Sequence, residues 1–142
     1  MTRFSTQVTI GADSRRVWRV LADFERWPEW TPTMRRLEKV RPGPISVGSH
    51  VHIEQPKLRP AVWTITAWNP EHDFTWVSRN PAVRVAAEHI IETVAGGSRV
   101  TLTIAFDGFL GGLIGSLSSS LINRYLALEA EGLKQCCESA IS

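Results

Sequence analysis

The sequence predicts an α+β domain. A curved antiparallel sheet of about seven strands wraps around one long C-terminal helix, with two short helices after the first strand. Three observations point to it. Short stretches of period-two alternation recur from Phe4 to Phe106, separated by turns rich in Pro, Gly and Asn. From Phe109 onward the apolar period changes to three and four. After the first alternating stretch, an apolar-faced segment runs into a turn dense in Trp and Pro.

Phe4 to Ile10 reads as the first strand. Asp13 or Ser14 caps the helix that carries Val17, Trp18 and Leu21, because a short side-chain oxygen satisfies its free backbone donors. Pro28 and Pro32 keep the second helical piece short. Met34 to Val40 is a strand, and Pro42-Gly43-Pro44 a turn. Ser49 to Glu54 places Val51 and Ile53 on one face and His50, His52 and Glu54 on the other. Ala61 to Trp68 and Phe74 to Arg79 are strands flanking a loop, Asn69-Pro70-Glu71-His72-Asp73.

Val83 to Val94 and Arg99 to Phe106 form a hairpin around Ala95-Gly96-Gly97-Ser98. A symmetric turn there pairs Val94 with Arg99, Thr93 with Val100, Ile91 with Leu102 and His89 with Ile104. Ala87, His89, Ile91, Val100, Leu102, Ile104 and Phe106 then share the core face. Glu88, Glu92, Arg99, Thr101 and Thr103 share the other, and a one-residue slip would bury the glutamates. From Phe109 to Ala140 an apolar stripe of Leu110, Leu113, Leu117, Leu121, Tyr125 and Leu128 drifts to Leu133, Cys136 and Ala140. Gly111, Gly112 and Gly115 loosen its start, since each glycine costs roughly 1 kcal/mol in a helix interior.

At 142 residues the chain is one domain, 1–142. A net charge of +2, with Arg15-Arg16 and Arg35-Arg36 as the only adjacent basic pairs, argues against a nucleic-acid partner. The adjacent Cys136 and Cys137 do not form an ordinary disulfide and lack metal-site spacing, so they read as reduced packing residues of a cytoplasmic protein. The N-terminus carries no signal pattern, and no apolar run is long enough to span a membrane. The sequence holds no nucleophile elbow, phosphate loop or nucleotide fingerprint. It calls for no cofactor and no metal: His50, His52 and Glu54 lie opposite the apolar face of their strand and so face solvent.

The opening residues Ile10, Ala12, Val17, Trp18, Leu21, Asp23, Phe24, Trp27, Pro28 and Trp30 resemble one superfamily, the START-like (SRPBCC) proteins, and in particular its polyketide cyclase/dehydrase-like branch. The order of elements matches its helix-grip fold, so the resemblance covers nearly the whole chain. It implies a cavity between sheet and helix for a hydrophobic small molecule such as a lipid, polyketide or quinone. It also implies that cyclase chemistry, where present, leaves no strict motif.

Candidate lining residues follow from the inward faces. Six tryptophans are a heavy aromatic load beside one tyrosine. Trp18, Trp27 and Trp30 read as packing. Trp63 faces inward in one register of its hairpin and Trp68 in the other, with Trp76 on the neighbouring strand. His89 is the one polar residue on an apolar face, as a satisfied core histidine or as a hydrogen-bond donor or general acid/base. Leu117, Leu121 and Tyr125 project from the helical stripe, and Arg124 lies at its edge, snorkelling or anchoring a ligand anion. The leading expectation is binding of a hydrophobic ligand. A cyclase or dehydratase is the alternative, with His89 or Tyr125 moving protons and Arg124 steadying an enolate. A third is peripheral docking on a membrane or partner through Phe109, Leu110, Leu113 and Ile114.

Overall fold

The alternation of the first strand appears as β1, Thr2–Ile10, in which half-buried and exposed residues strictly alternate up to the buried Ile10. The computed structural model describes residues 2–139. Helix α1, Ser14–Ala22, follows, and its cap is Asp13 rather than Ser14: the Asp13 carboxylate accepts from the Arg16 amide at 2.9 Å. A short 3₁₀ helix, Phe24–Glu29, holds Pro28 and buries Phe24 and Trp27. The remaining strands are β2 (Arg36–Lys39), β3 (His50–Glu54), β4 (Ala61–Asn69), β5 (Asp73–Arg79), β6 (Arg84–Val94) and β7 (Gly97–Asp107). All seven form one antiparallel sheet in the order β1-β7-β6-β5-β4-β3-β2.

The β6–β7 hairpin keeps the expected faces but not the expected register. Val94 pairs with Gly97, Ile91 with Val100 and His89 with Leu102, two residues away from the symmetric pairing. A shift of two preserves the side of every residue, so Ala87, His89, Ile91, Val100, Leu102 and Phe106 are buried. The turn shrinks to Ala95-Gly96, with Gly96 at a φ of 81°. Gly97 joins the strand because β1 ends against it: a Cβ there would stand 2.1 Å from the Ile10 carbonyl oxygen.

The C-terminal period resolves into two helices. Helix α2, Gly111–Leu117, ends at Ser118, and helix α3, Ser119–Glu138, continues the same inward face, on which Gly111, Gly115, Ile122, Tyr125, Glu129 and Leu133 recur at helical spacing. The stripe drawn through Leu113, Leu117 and Leu121 is therefore not the buried one. Leu113 and Leu117 are 57% and 76% exposed, while α3 buries Ile122, Tyr125, Leu126, Glu129, Ala130, Leu133 and Cys137. Ala140 lies outside the described residues. In α2 Gly111 and Gly115 face inward instead. A Cβ on Gly115 would stand 2.9 Å from the Thr2 Cβ, and one on Gly111 3.0 Å from the Phe106 backbone. Only glycine permits that approach, and the leucines turn outward.

Helix α3 lies across the sheet with its C-terminal half tied to the first elements. Lys134 Nζ donates to the Thr9 carbonyl at 3.0 Å, Arg16 donates to the Cys137 and Cys136 carbonyls at 2.8 and 3.2 Å, and the Gly11 amide donates to Glu138 at 2.7 Å. Gly132 crosses the end of the 3₁₀ helix so closely that a Cβ would stand 1.9 Å from the Trp30 carbonyl oxygen. Cys137 is buried, and burial pushes its thiol up to about 12, which makes it inert packing. Among the described residues no helix is long and apolar enough to cross a membrane.

Candidate functional site

The wall of the site is decided by one irregularity in β4. Thr64 pairs with Val77 and Ile65 with Trp76, but Ala67 pairs with Thr75, so Thr66 is an extra residue. The bulge reverses the parity of the strand. Trp63 and Trp68 both reach the inner face, which a regular strand allows to only one of them. Trp68 packs on Trp18 with ring centroids 4.8 Å apart and on Phe24 at 5.9 Å. Trp63 packs on Trp76 at 6.2 Å, and Trp76 on Trp27 at 5.3 Å. Trp27 meets Trp30 at 5.0 Å and donates from Nε1 to the Leu21 carbonyl at 2.9 Å. One network of ring contacts thus joins all six tryptophans and fills the end of the sheet–helix gap under α1 and the 3₁₀ helix.

The other end is open. A cleft of about 640 Å³ lies between β3–β7 and the start of α3, lined by Ile53, Trp63, Val83, Phe106, Ile122 and Tyr125 among others. That volume falls within the roughly 300–1,000 Å³ usual for small-molecule sites. Its inner end adjoins a pocket of about 40 Å³ lined by Met34, Trp76, His89 and Leu126. Ile53, Gln55, Trp63, Ile104 and Glu129 line both spaces. The cleft is apolar along its walls and basic at its mouth, where Arg59 and Arg79 are exposed.

Two buried titratable groups border the inner pocket. His89 stacks on Phe74 with ring centroids 4.0 Å apart, and its Nδ1 lies 3.3 Å from the Phe74 carbonyl oxygen. A carbonyl only accepts, so Nδ1 carries the proton and Nε2 is left as an acceptor. Burial lowers the imidazole from 6.5 to about 4, which the bond to Phe74 offsets only in part, so the ring is neutral at pH 7. Glu129 is 7% exposed, and burial raises its carboxyl from 4.5 to about 7 against an opposing hydrogen bond from Thr33. Near neutrality it is therefore a proton donor as readily as an acceptor.

Of the residues singled out by sequence, Trp63, Trp76, His89 and Tyr125 line these spaces. Tyr125 commits its hydroxyl as a donor to the Pro56 carbonyl, which ties the β3–β4 loop to α3. Leu117 and Arg124 are exposed and Leu121 is half-buried, and none of the three lines the cleft or the inner pocket. They fall outside because the inward face keeps the phase of the buried Gly111 and Gly115, which leads to Ile122, Tyr125 and Glu129 rather than to Leu117, Leu121 and Arg124. His50, His52 and Glu54 alternate with the buried Val51 and Ile53 and sit on the outer face. Glu129 is the site residue that sequence reasoning missed, although its spacing from Ile122, Tyr125 and Leu133 marks it as a carboxylate on an apolar stripe.

A seven-stranded antiparallel sheet that grips a long C-terminal helix defines a helix-grip protein. The chain belongs to the polyketide cyclase/dehydrase and lipid transport family, whose family model matches residues 1–138. Among curated proteins none matches the sequence. Solved structures match the fold. The ZhuI aromatase/cyclase of Streptomyces sp. R1128 is 18% identical, with a TM-score of 0.76 over 96% of this chain and 93% of its own. TTHA0849 of Thermus thermophilus is 20% identical, with a TM-score of 0.77 over 99% and 100% of the two chains. The hypothetical protein jhp0584 of Helicobacter pylori is 12% identical, with a TM-score of 0.83 over 96% and 88%.

Proposed function

We propose that the protein binds a hydrophobic small molecule of the lipid, polyketide or quinone kind in the cleft between sheet and helix. The observation that carries this reading is an apolar cleft of about 640 Å³ that has the buried Glu129 in its lining and adjoins the small pocket lined by the buried His89. Apolar walls supply affinity, and a few buried polar groups orient the ligand. Trp63 offers an indole face to a flat or unsaturated ligand. His89 Nε2 accepts from a ligand hydroxyl, and protonated Glu129 donates to a ligand carbonyl. Native mass spectrometry of freshly purified protein, followed by organic extraction, tests the reading. A stoichiometric mass increment released by extraction is expected. A clean mass, together with no enhancement of an apolar fluorescent probe, rules it out.

The position of Glu129 favours a second reading, a cyclase or dehydratase acting on a carbonyl-rich chain. A protonated carboxyl gives its proton to a leaving β-hydroxyl, water departs, and the carboxylate takes the adjacent α-proton, which restores Glu129. With its imidazole lowered to about 4, His89 is a weaker proton acceptor than Glu129 and serves to orient. Under this reading a β-hydroxy ketone loses one water in the presence of the wild type. Glu129→Gln binds it but returns it unchanged. Equal turnover by Glu129→Gln removes Glu129 from the reaction.

A further inference from the structure

Helix α2 is amphipathic the wrong way round for a surface helix. Gly111 and Gly115 are buried against Phe106 and Thr2, while Leu113, Ile114 and Leu117 are exposed, the last at 76%. Phe109, just before it, is 81% exposed. A surface helix ordinarily turns its large apolar residues to the core, and a cluster of exposed ones marks a docking surface. Ile114 also lines the cleft, and the exposed Leu58 and Val62 line it from the other side. The apolar surface is therefore continuous with the rim of the opening.

Cations complete the rim. Arg59 and Arg79 line the mouth and are exposed, and neither takes part in an ion pair among the described residues. The only acid in the lining is Glu129, buried at the inner end.

We propose that this rim docks on an anionic lipid bilayer, with Phe109, Leu113 and Leu117 entering the acyl boundary and Arg59 and Arg79 meeting the head groups. The exposed apolar residues match the bilayer interior, and the unpaired arginines match its surface charge. A protein partner fits less well. Protein interfaces carry about one hydrogen bond per 100–200 Å², and Gly111–Leu117 offers a single side-chain hydroxyl, Ser116, and no charge. Docking here sets the cleft mouth on the bilayer, so an apolar ligand passes between lipid and protein without crossing water. That consequence rests on the ligand-binding reading given above; the docking itself does not.

Co-sedimentation with vesicles of phosphatidylcholine, alone or mixed with phosphatidylglycerol, tests the proposal. The wild type is expected to sediment with the mixed vesicles at low salt and to be released by high salt. Phe109→Ser and Leu113→Ser, checked for folding by circular dichroism, should each weaken partition by about tenfold or more. Arg59→Gln and Arg79→Gln should each weaken it roughly fivefold. No sedimentation of folded wild type with the mixed vesicles, or unchanged sedimentation of Phe109→Ser, overturns the proposal. So does a wild-type dimer in sedimentation velocity that Phe109→Ser dissolves, since the patch then belongs to a second copy. A wild type that binds vesicles but carries no extractable ligand and enhances no apolar probe supports docking and removes only the cleft reading. A ligand-loaded wild type indifferent to vesicles removes only the docking.

Discussion

Glu129→Gln takes one titrating group from the inner end of the cleft and leaves a side chain of the same size. In the folded protein burial holds this carboxyl near 7, against 4.5 in the open chain, so folding favours its protonated form. Its contribution to stability is fully present below pH 4.5, declines as the unfolded chain gives up the proton, and is lost above about pH 7. At about 1.4 kcal/mol per pH unit, that window amounts to about 3 kcal/mol. His89 acts in the opposite direction. Burial lowers its imidazole from 6.5 to about 4, so folding favours the neutral ring, and stability is lost as pH falls through that interval, again by about 3 kcal/mol.

The two slopes oppose each other in the wild type between about 4.5 and 6.5. With Glu129→Gln the His89 slope stands alone, and unfolding free energy climbs by about 3 kcal/mol from about pH 4 to 6.5. With His89→Asn the Glu129 slope stands alone, and stability falls by about 3 kcal/mol from pH 4.5 to about 7. The carboxyls of Glu29 and Glu138 are held low, chiefly by hydrogen bonds from Arg26 and from the Gly11 amide. Both titrate alike in all three proteins and drop out of the differences. Urea denaturation followed by tryptophan fluorescence across this pH range supplies the measurement. If the difference between wild type and Glu129→Gln is flat from pH 4.5 to 7, the reasoning fails, because the carboxylate is then as well solvated inside the cleft as outside it.

Three further substitutions test the packing around the site. Alanine for glycine within a helix ordinarily stabilises, by up to about 1 kcal/mol. Gly112→Ala should follow that rule, since its Cβ would meet nothing nearer than Thr2 Oγ1 at 3.7 Å, whereas Gly132→Ala should lower the melting temperature, its Cβ falling 1.9 Å from the Trp30 carbonyl oxygen. Tyr125→Phe deletes the hydroxyl bond to Pro56, which should cost about 1 kcal/mol in urea and accelerate amide exchange across residues 55–60.

Much of this architecture is legible in the sequence because it rests on local periodicity. Alternation in β1, β3 and β6 and a cap at Asp13 or Ser14 are properties of a few adjacent residues. What is not legible is non-local. Gly97 looks like a turn residue, and only the approach of Ile10 from β1 makes it a strand residue. The bulge at Thr66 has no local signature, since Ile65-Thr66-Ala67 is ordinary strand sequence, and so sequence alone leaves the choice between Trp63 and Trp68 open although both face inward. A helical stripe phased on Leu113 and Leu117 assumes that the large apolar residues, not the glycines, face the sheet. The inward phase is set instead by Gly111 and Gly115, whose close approach to Phe106 and Thr2 is non-local, and that phase leads to Ile122, Tyr125 and Glu129.

The linked tryptophans give the protein an optical property as well as a mechanical one. With aromatic rings in contact from Trp18 through Trp68, Phe24, Trp27 and Trp76 to Trp63, the indoles are close enough for excitation to pass among them. Of the six, Trp63 is the one that borders the large cleft. A quenching molecule that settles against that ring should dim its neighbours as well as Trp63 itself. Intrinsic emission thus becomes a collective reporter of cleft occupancy, built into the same packing that closes the opposite end of the fold.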